Sequence, residues 1–225
     1  MVINYVIKSE ALINMIHFIY FDVGGVVIKD FTVSNKWVEM QDDFGLNQTE
    51  REGLIKVWHR YQDEICVTRD VDSLMAILTK EVKIKFPKHY SLLEDMVNRF
   101  EANSSIWPII KKVKTNTRIG LLTNMYPRMF ALIQRKKIMP PVEWEVVIDS
   151  SVEGSQKPEA RMFRIAYERS GIAHQQELLF VDNSQEHIEA AKTLGWQTYW
   201  YDSTNYEKSS KALLEYINKA LTLKG

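Results

Sequence analysis

The sequence predicts an α/β protein, in which a parallel sheet carries helices on both faces and an all-helical segment is inserted. Three observations predict this class. A short apolar run ends at a turn signal near Asp22, as buried strands do. Residues from about 34 to 103 show helical periodicity and almost no strand signal. From Pro108 onward, strand and helix patterns alternate, which is typical of a parallel sheet.

The first predicted strand is the aromatic and β-branched run at residues 17–21, which ends at the carboxylate of Asp22. Gly24 and Gly25 follow, and they permit a sharp turn and the close approach of a ligand. A carboxylate at this end of a parallel strand lies where open α/β sheets bind ligands. Asp22 is therefore a candidate nucleophile or metal ligand, although an aspartate in this position also commonly caps a turn.

The helical segment contains about four predicted helices. Starts are indicated near Asn47, Asp70 and Ser91, each followed by apolar residues at three-to-four spacing. Such stripes usually belong to a hydrophobic core, so the aromatic residues Trp58 and Tyr61 are interpreted as core residues.

The alternating segment supplies the remaining strands. They are predicted at residues 117–122, 145–149, 177–181 and 197–201. Residues 150–156 are predicted to form a polar loop. Pro158 is predicted at the first position of a helix that Gly171 ends.

These elements predict a discontinuous domain organisation. Residues 15–32 and 104–225 are expected to form an α/β core, and residues 33–103 a helical cap domain between its first and second strands. Residues 1–14 are expected to be an N-terminal extension that packs loosely or adds an edge element. The sequence does not predict an oligomeric state.

Composition limits the classes of partner. The 225 residues include 29 Lys+Arg and 29 Asp+Glu, so the formal net charge is zero and gives no argument for nucleic acid or an anionic membrane. Cys66 is the single cysteine, which excludes an internal disulfide and fits a reducing compartment. No apolar run approaches the ~20 residues that span a bilayer. The first residues do not resemble a signal peptide, so a cytoplasmic location is expected.

Polar side chains follow several of the predicted strands. Asp22 ends the first strand, Thr123 and Asn124 end the second, and Asp182 ends the fourth, while the loop after the third leads to Lys157. If the strands are parallel, these groups share one edge of the sheet. Carboxylate and carbonyl oxygens suit Mg²⁺, and a lysine with a hydroxyl suits a phosphate. A carboxylate can attack phosphorus to form an aspartyl-phosphate when the charges are neutralised.

These residues resemble the haloacid dehalogenase superfamily of hydrolases, most of which are Mg²⁺-dependent phosphatases. The resemblance covers residues 15 to about 201. The motifs that carry it, in chain order, are Phe21-Asp22-Val23-Gly24-Gly25-Val26, Leu122-Thr123-Asn124, Lys157-Pro158-Glu159 and Phe180-Val181-Asp182-Asn183-Ser184. The segment Ala190-Ala191-Lys192-Thr193-Leu194-Gly195 is also typical.

The resemblance implies a Rossmann-like sheet with strands in the order 5-4-1-2-3, and a helical cap that covers the site and selects substrates. It implies that Asp22 is the nucleophile and a metal ligand, that Gly24 gives its backbone carbonyl to Mg²⁺, and that Asp182 completes the metal site. The residues that it implies for the phosphoryl oxygens are Thr123, Asn124 and Lys157.

Two positions depart from the usual phosphatase motifs. Gly24 stands where an aspartate normally protonates the leaving group and activates water, a role typically worth ~10²–10⁴-fold in rate. Asn183 stands where a second aspartate often follows the first, which should weaken metal binding. Some members of the superfamily that resemble this chain, similar to sugar-1-phosphate phosphatases, also have a first motif that begins Asp-x-Gly, and they remain hydrolases. If the missing acid limits the rate, Gly24→Asp should raise it.

Three functions follow from this interpretation. The first is a Mg²⁺-dependent phosphatase of a small phosphorylated metabolite, with sugar phosphates among the candidates. The second is a catalytically degenerate protein that binds a phosphorylated ligand or a protein partner. The third is a metal-free dehalogenase, against which Asp182 argues. His59, His187 and Asp30 are given no catalytic role, and Arg128 is interpreted as a solvated helix charge.

Overall fold

The computed structural model describes residues 16–222, so the predicted extension at residues 1–14 lies outside the described residues. Its strands, in chain order, are β1 (Phe18–Phe21), β2 (Ile28–Lys29), β3 (Glu101–Ala102), β4 (Arg118–Thr123), β5 (Val146–Asp149), β6 (Leu178–Asp182) and β7 (Gln197–Trp200). Five of them form one sheet in the order β5-β4-β1-β6-β7, with every neighbouring pair parallel. Numbered along the chain within this sheet and read from the β7 side, the order is 5-4-1-2-3, as predicted. The α/β class is confirmed.

Both faces of the sheet are covered by apolar layers. In β1, Ile19 and Phe21 belong to the cluster on one face, whereas Phe18 and Tyr20 belong to the cluster on the other. Side chains alternate between faces along a strand, so a strand that is apolar throughout must be buried on both sides. The run before Asp22 is apolar for this reason.

The helices of the structure follow the predicted alternation. They are α1 (Lys36–Asp43), α2 (Gln48–Ile65), α3 (Leu74–Glu81), α4 (Leu92–Asn98), α5 (Trp107–Lys114), α6 (Met129–Lys136), α7 (Ser150–Glu153), α8 (Ala160–Ser170), α9 (Gln185–Thr193) and α10 (Tyr206–Thr222). Short 3₁₀ turns precede α3 and β6. In the described part of the chain, no helix combines the length and apolar character needed to cross a bilayer.

The four helices α1–α4 make up the segment between β2 and β3, as predicted. Their caps explain the boundaries. The Asn47 side chain accepts the Glu50 N–H at 3.1 Å, and the Glu50 carboxylate accepts the Asn47 N–H. This reciprocal pair is a capping box. Asp70 caps the 3₁₀ turn before α3, and Ser91 caps α4. The apolar side chains of these helices share one cluster with a face of the sheet, so the division into two domains stays a prediction.

Two local predictions are wrong. Residues 150–153 form the single turn α7 and not a loop, because the Asp149 side chain accepts the Ser151 N–H at 2.8 Å and caps the turn. Pro158 does not begin the next helix. Helix α8 begins at Ala160, and Pro158 precedes it after a cis peptide bond with Lys157.

The turn after β1 brings the chain back on itself. The Val23 carbonyl accepts the N–H groups of Val27 at 2.9 Å and Ile28 at 3.0 Å. Strand β2 then pairs with β3 in an antiparallel ladder that the sequence did not predict. This ladder joins the entrance and the exit of the helical segment beside the end of β1.

Candidate active site

Asp22 stands at the carboxyl end of the central strand β1. Its N–H donates to the Val181 carbonyl at 2.9 Å, which extends the contact with β6 by one residue. Its carboxylate Oδ1 accepts the Val23 N–H at 2.8 Å. Only 8% of the residue is exposed. The central strand and its neighbour β6 therefore hold this carboxylate at the edge of the sheet where the carboxyl ends of the strands lie.

Lys157 joins Asp22 to a second strand-end carboxylate. Its Nζ lies 3.0 Å from Asp22 Oδ1 and 2.6 Å from Asp182 Oδ2. Asp182 ends β6, and its Oδ1 accepts the Ser184 N–H at 2.7 Å. His187 Nδ1 lies 3.1 Å from Asp182 Oδ2. The structure thus brings together the two carboxylates and the ammonium that the sequence placed at one edge.

Burial and neighbouring charges have opposite effects on the pKa values of Asp22, Lys157 and Asp182. Burial raises the pKa of Asp22, against the opposing effect of the Lys157 ammonium. Burial alone would also raise the pKa of Asp182, but Lys157 and His187 outweigh it and lower that pKa. Burial would lower the pKa of Lys157, yet the two carboxylates outweigh it and raise that pKa. Asp22, Lys157 and Asp182 therefore form a buried cluster in which a cation lies beside the Asp22 carboxylate.

Thr123 and Asn124, at the end of β4, have different surroundings. Thr123 is buried, and its Oγ1 hydrogen-bonds to nothing within residues 16–222. Because a buried hydroxyl without a partner is destabilising, this atom suits a ligand oxygen. Asn124 Nδ2 donates to the Lys157 carbonyl at 2.9 Å, and Asn124 Oδ1 accepts the Lys157 N–H at 2.8 Å. Asn124 therefore positions Lys157, and its predicted contact with phosphate stays a prediction.

A cavity of about 330 Å³ opens beside these strand ends. Its lining includes Gly24 and Asn124. Trp58 lines it as well as packing in the core, whereas Tyr61 is not part of the lining. Neighbouring rings in the wall meet edge to face, and they belong to Phe31, Trp37, Trp58 and Tyr126. The lining of the cavity is therefore mostly apolar and aromatic, with a few polar side chains.

Comparison with known proteins decides the fold. No family model and no curated protein matches the chain. A protein from Porphyromonas gingivalis, described as a predicted HAD-like family hydrolase, is 22% identical with a TM-score of 0.70. That match covers 89% of this chain and 98% of the other. The chain has the fold of the haloacid dehalogenase superfamily.

Two other structures with this fold differ in what they bind. A HAD family enzyme from Bacteroides thetaiotaomicron is 17% identical over 85% of this chain and 96% of its own, with a TM-score of 0.69. That enzyme has been solved in complex with magnesium and inorganic phosphate. An L-2-haloacid dehalogenase from Xanthobacter autotrophicus, with chloropropionic acid covalently bound, is 18% identical over 83% of this chain and 78% of its own, with a TM-score of 0.56.

In this haloacid dehalogenase-like fold, a second carboxylate closely approaches position 24. A Cβ built on Gly24 would overlap Asp30 Oδ2 and lie 3.2 Å from Asp30 Cγ. Asp30 is partly buried, and burial raises its pKa against the opposing hydrogen bond from the Thr32 N–H. From the sequence alone, Asp30 is given no catalytic role, because its return to Gly24 depends on the turn after β1.

The oxygen donors at this edge fit a hard cation such as Mg²⁺. Asp22 and Asp182 present carboxylates to the same ammonium, and Gly24 can supply a backbone carbonyl. Within residues 16–222, no three His, Cys, Asp or Glu side chains cluster as metal ligands. A cation held here would therefore take its other ligands from the backbone and from water, as Mg²⁺ commonly does.

Arg128 and His59 lie outside the cluster that Asp22, Lys157 and Asp182 form. The sequence predicts a solvated charge at Arg128, but the structure pairs its guanidinium with Asp70 at 2.7 Å and Asp72 at 2.8 Å. Arg128 therefore ties the loop after β4 to the helical segment. His59 is exposed on the cavity rim and contacts Gln62 at 3.1 Å.

Proposed function

We propose that the protein is a Mg²⁺-dependent phosphatase that hydrolyses a small phosphorylated metabolite through an aspartyl-phosphate on Asp22. One observation carries the proposal. A buried Lys157 contacts two strand-end carboxylates, and the hydroxyl of Thr123 is buried without a partner at the end of the adjacent strand. A phosphoryl group would complete this set, because it brings the acceptor oxygen that the Thr123 hydroxyl lacks and a further acceptor for the Lys157 ammonium.

The residues divide the chemistry between them. Asp22 Oδ attacks phosphorus, and the bond from phosphorus to the leaving oxygen breaks. The Lys157 ammonium and the Thr123 hydroxyl donate to the phosphoryl oxygens and stabilise the charge that gathers on them. Mg²⁺, when held by Asp22, Asp182 and the Gly24 carbonyl, supplies further neutralisation of that charge. Water then attacks phosphorus and releases inorganic phosphate and free Asp22.

The acidic residue at position 182 favours this reaction over dehalogenation. Asp182 is buried and ion-paired, so it adds negative charge beside Asp22. That charge suits a reaction in which a bound divalent cation offsets it. A metal-free dehalogenase would have no such cation to offset its repulsion of a haloacid carboxylate. The solved complex of the Bacteroides enzyme with magnesium and phosphate supports the same choice.

The cavity wall suggests the class of leaving group. Its aromatic and aliphatic side chains would bury an apolar or aromatic group favourably, while a sugar would find few hydrogen-bond partners there. A volume of about 330 Å³ suits a small molecule. We therefore favour a small phosphomonoester with an apolar part over the sugar phosphates. Neither nucleic acid nor membrane is proposed as a partner, and the location is proposed to be the cytoplasm.

A phosphatase screen with Mg²⁺ tests the proposal. We expect turnover of small aryl phosphates that EDTA removes and that Asp22→Asn abolishes, because the amide cannot attack phosphorus. Asp149→Asn is the matched control, since Asp149 ends β5 on the same sheet edge and its side-chain oxygen can still cap α7. Halide release without metal would favour the dehalogenase. Ligand-induced stabilisation without any turnover would favour the degenerate binding protein.

A further inference from the structure

We propose that Asp30 is the general acid and base of this site, in place of the aspartate that position 24 lacks. The inference rests on the proposed phosphatase function and adds a catalytic residue to it. It is carried by the overlap between the Asp30 carboxylate and the space that a side chain at position 24 would fill.

The local fold explains why a residue eight positions after Asp22 returns to this place. The Val23 carbonyl accepts three successive N–H groups, from Val26, Val27 and Ile28, which closes a tight turn. An isolated bridge joins Gly24 to Ile28. Strand β2 then delivers Asp30 beside Gly24, and its pairing with β3 fixes the direction of the chain.

The Asp30 carboxylate occupies the space where a side chain at position 24 would begin. A Cβ at position 24 would overlap Asp30 Oδ2 and lie 3.2 Å from Asp30 Cγ, so one oxygen of Asp30 lies directly beside Gly24. Asp30 Oδ1 accepts the Thr32 N–H at 2.9 Å, so the carboxylate is held in one orientation. Gly24 is therefore small because Asp30 fills the space, and the site keeps a carboxylate where the motif lost one.

Asp30 also lines the cavity that would take the leaving group. It carries the one carboxylate in the described lining of that cavity, which includes Gly24 and Asn124 as well. The two histidines that might replace it are less suited. His187 contacts Asp182 and does not line the cavity, and His59 is exposed.

The proton inventory closes over the two steps. In the first step, Asp22 forms a bond to phosphorus, and the departing alkoxide or phenoxide takes the proton of the Asp30 carboxylic acid. In the second step, the Asp30 carboxylate takes a proton from water as the water oxygen attacks phosphorus. Asp22 leaves as a carboxylate, inorganic phosphate is released, and Asp30 is again protonated.

This arrangement changes the expectation for Gly24→Asp. The new side chain would meet the Asp30 carboxylate, so we expect a lower melting temperature and no gain in rate. In the double variant Gly24→Asp/Asp30→Gly the carboxylate moves to position 24 and the obstruction is removed. We expect the double variant to be at least ~10-fold faster than Asp30→Gly alone, within the usual range for a general acid. Equal rates for the two would contradict the proposal.

The decisive test compares two leaving groups of similar size in the folded, Mg²⁺-supplemented protein. Phenol, like the tyrosine side chain, has a pKa of about 10 and leaves slowly without a proton, whereas 4-nitrophenol is far more acidic. We expect Asp30→Asn to lower kcat/KM for phenyl phosphate by ~10²-fold or more, and for 4-nitrophenyl phosphate by less than ~10-fold. His59→Asn is the control on the same cavity, and it should affect both esters equally.

Two other results on these esters would overturn the role of Asp30. An equal loss on both esters would mean that Asp30 only supports the structure, and would overturn the proposal. An unchanged kcat/KM for phenyl phosphate would overturn it as well. Failure of the proposed function looks different, because the wild-type protein itself would then hydrolyse neither ester, and both proposals would be wrong.

Discussion

At the scale of single residues, the predicted site and the observed one differ in what each side chain does. Motifs placed Asp22, Lys157 and Asp182 together, and the structure joins them through one ammonium. The motifs did not show that Asn124 is committed to the Lys157 backbone. Nor did they show that Asp30 returns to Gly24. Contacts of these two kinds depend on turns, which sequence patterns describe poorly.

Thr123 offers a prediction that separates binding from stability. Its Oγ1 is buried without a partner within residues 16–222, so Thr123→Val removes an unsatisfied hydroxyl at nearly constant volume. We expect the variant to be as stable as the wild type or more stable, by up to about 1–3 kcal/mol, and to lose stabilisation by added phosphate. Thermal melts with and without phosphate measure both effects. A destabilised variant that still responds fully to phosphate would show that the hydroxyl has a structural partner.

At the scale of elements, helix boundaries were predictable where a side chain caps the first turn. The starts at Asn47 and Ser91 are visible in the sequence because the cap and the apolar stripe are both local. Strands β2 and β3 were missed because each has only two residues, too few for a periodic signal. Turn α7 was missed because a single capped turn, like that of Asp149, also occurs in loops.

One lysine of helix α6 in the core hydrogen-bonds to the end of α4 in the helical segment. Lys136 Nζ donates to the carbonyls of Val97 at 3.0 Å and of Asn98 and Phe100 at 2.5 Å, at the end of α4. A cation there also complements the helix dipole. We expect Lys136→Met to lower the free energy of unfolding by about 1–2 kcal/mol in urea titrations. Arg135→Met, at an exposed neighbour, is the control, and an equal effect in the two variants would contradict this role.

At the scale of the whole molecule, the class, the strand order and the four inserted helices could be predicted from the sequence. Alternation gave the parallel sheet, and the family resemblance gave its order. The way the helical segment packs could not be predicted, because helical periodicity shows that a face is buried but not what covers it. In the structure, Arg128 in the loop after β4 is ion-paired with Asp70 and Asp72 of the helical segment, and one apolar cluster runs through both parts.

The central claim is that Asp22 carries the phosphoryl group during turnover, and trapping that group tests it most directly. The protein would be mixed with Mg²⁺ and 4-nitrophenyl phosphate, quenched in acid during turnover, and digested for mass spectrometry. The account predicts one phosphoryl adduct, on the peptide that contains Asp22 and at that residue, and none in Asp22→Asn. Steady turnover by the wild type with no adduct, or with the adduct on another residue, would contradict it.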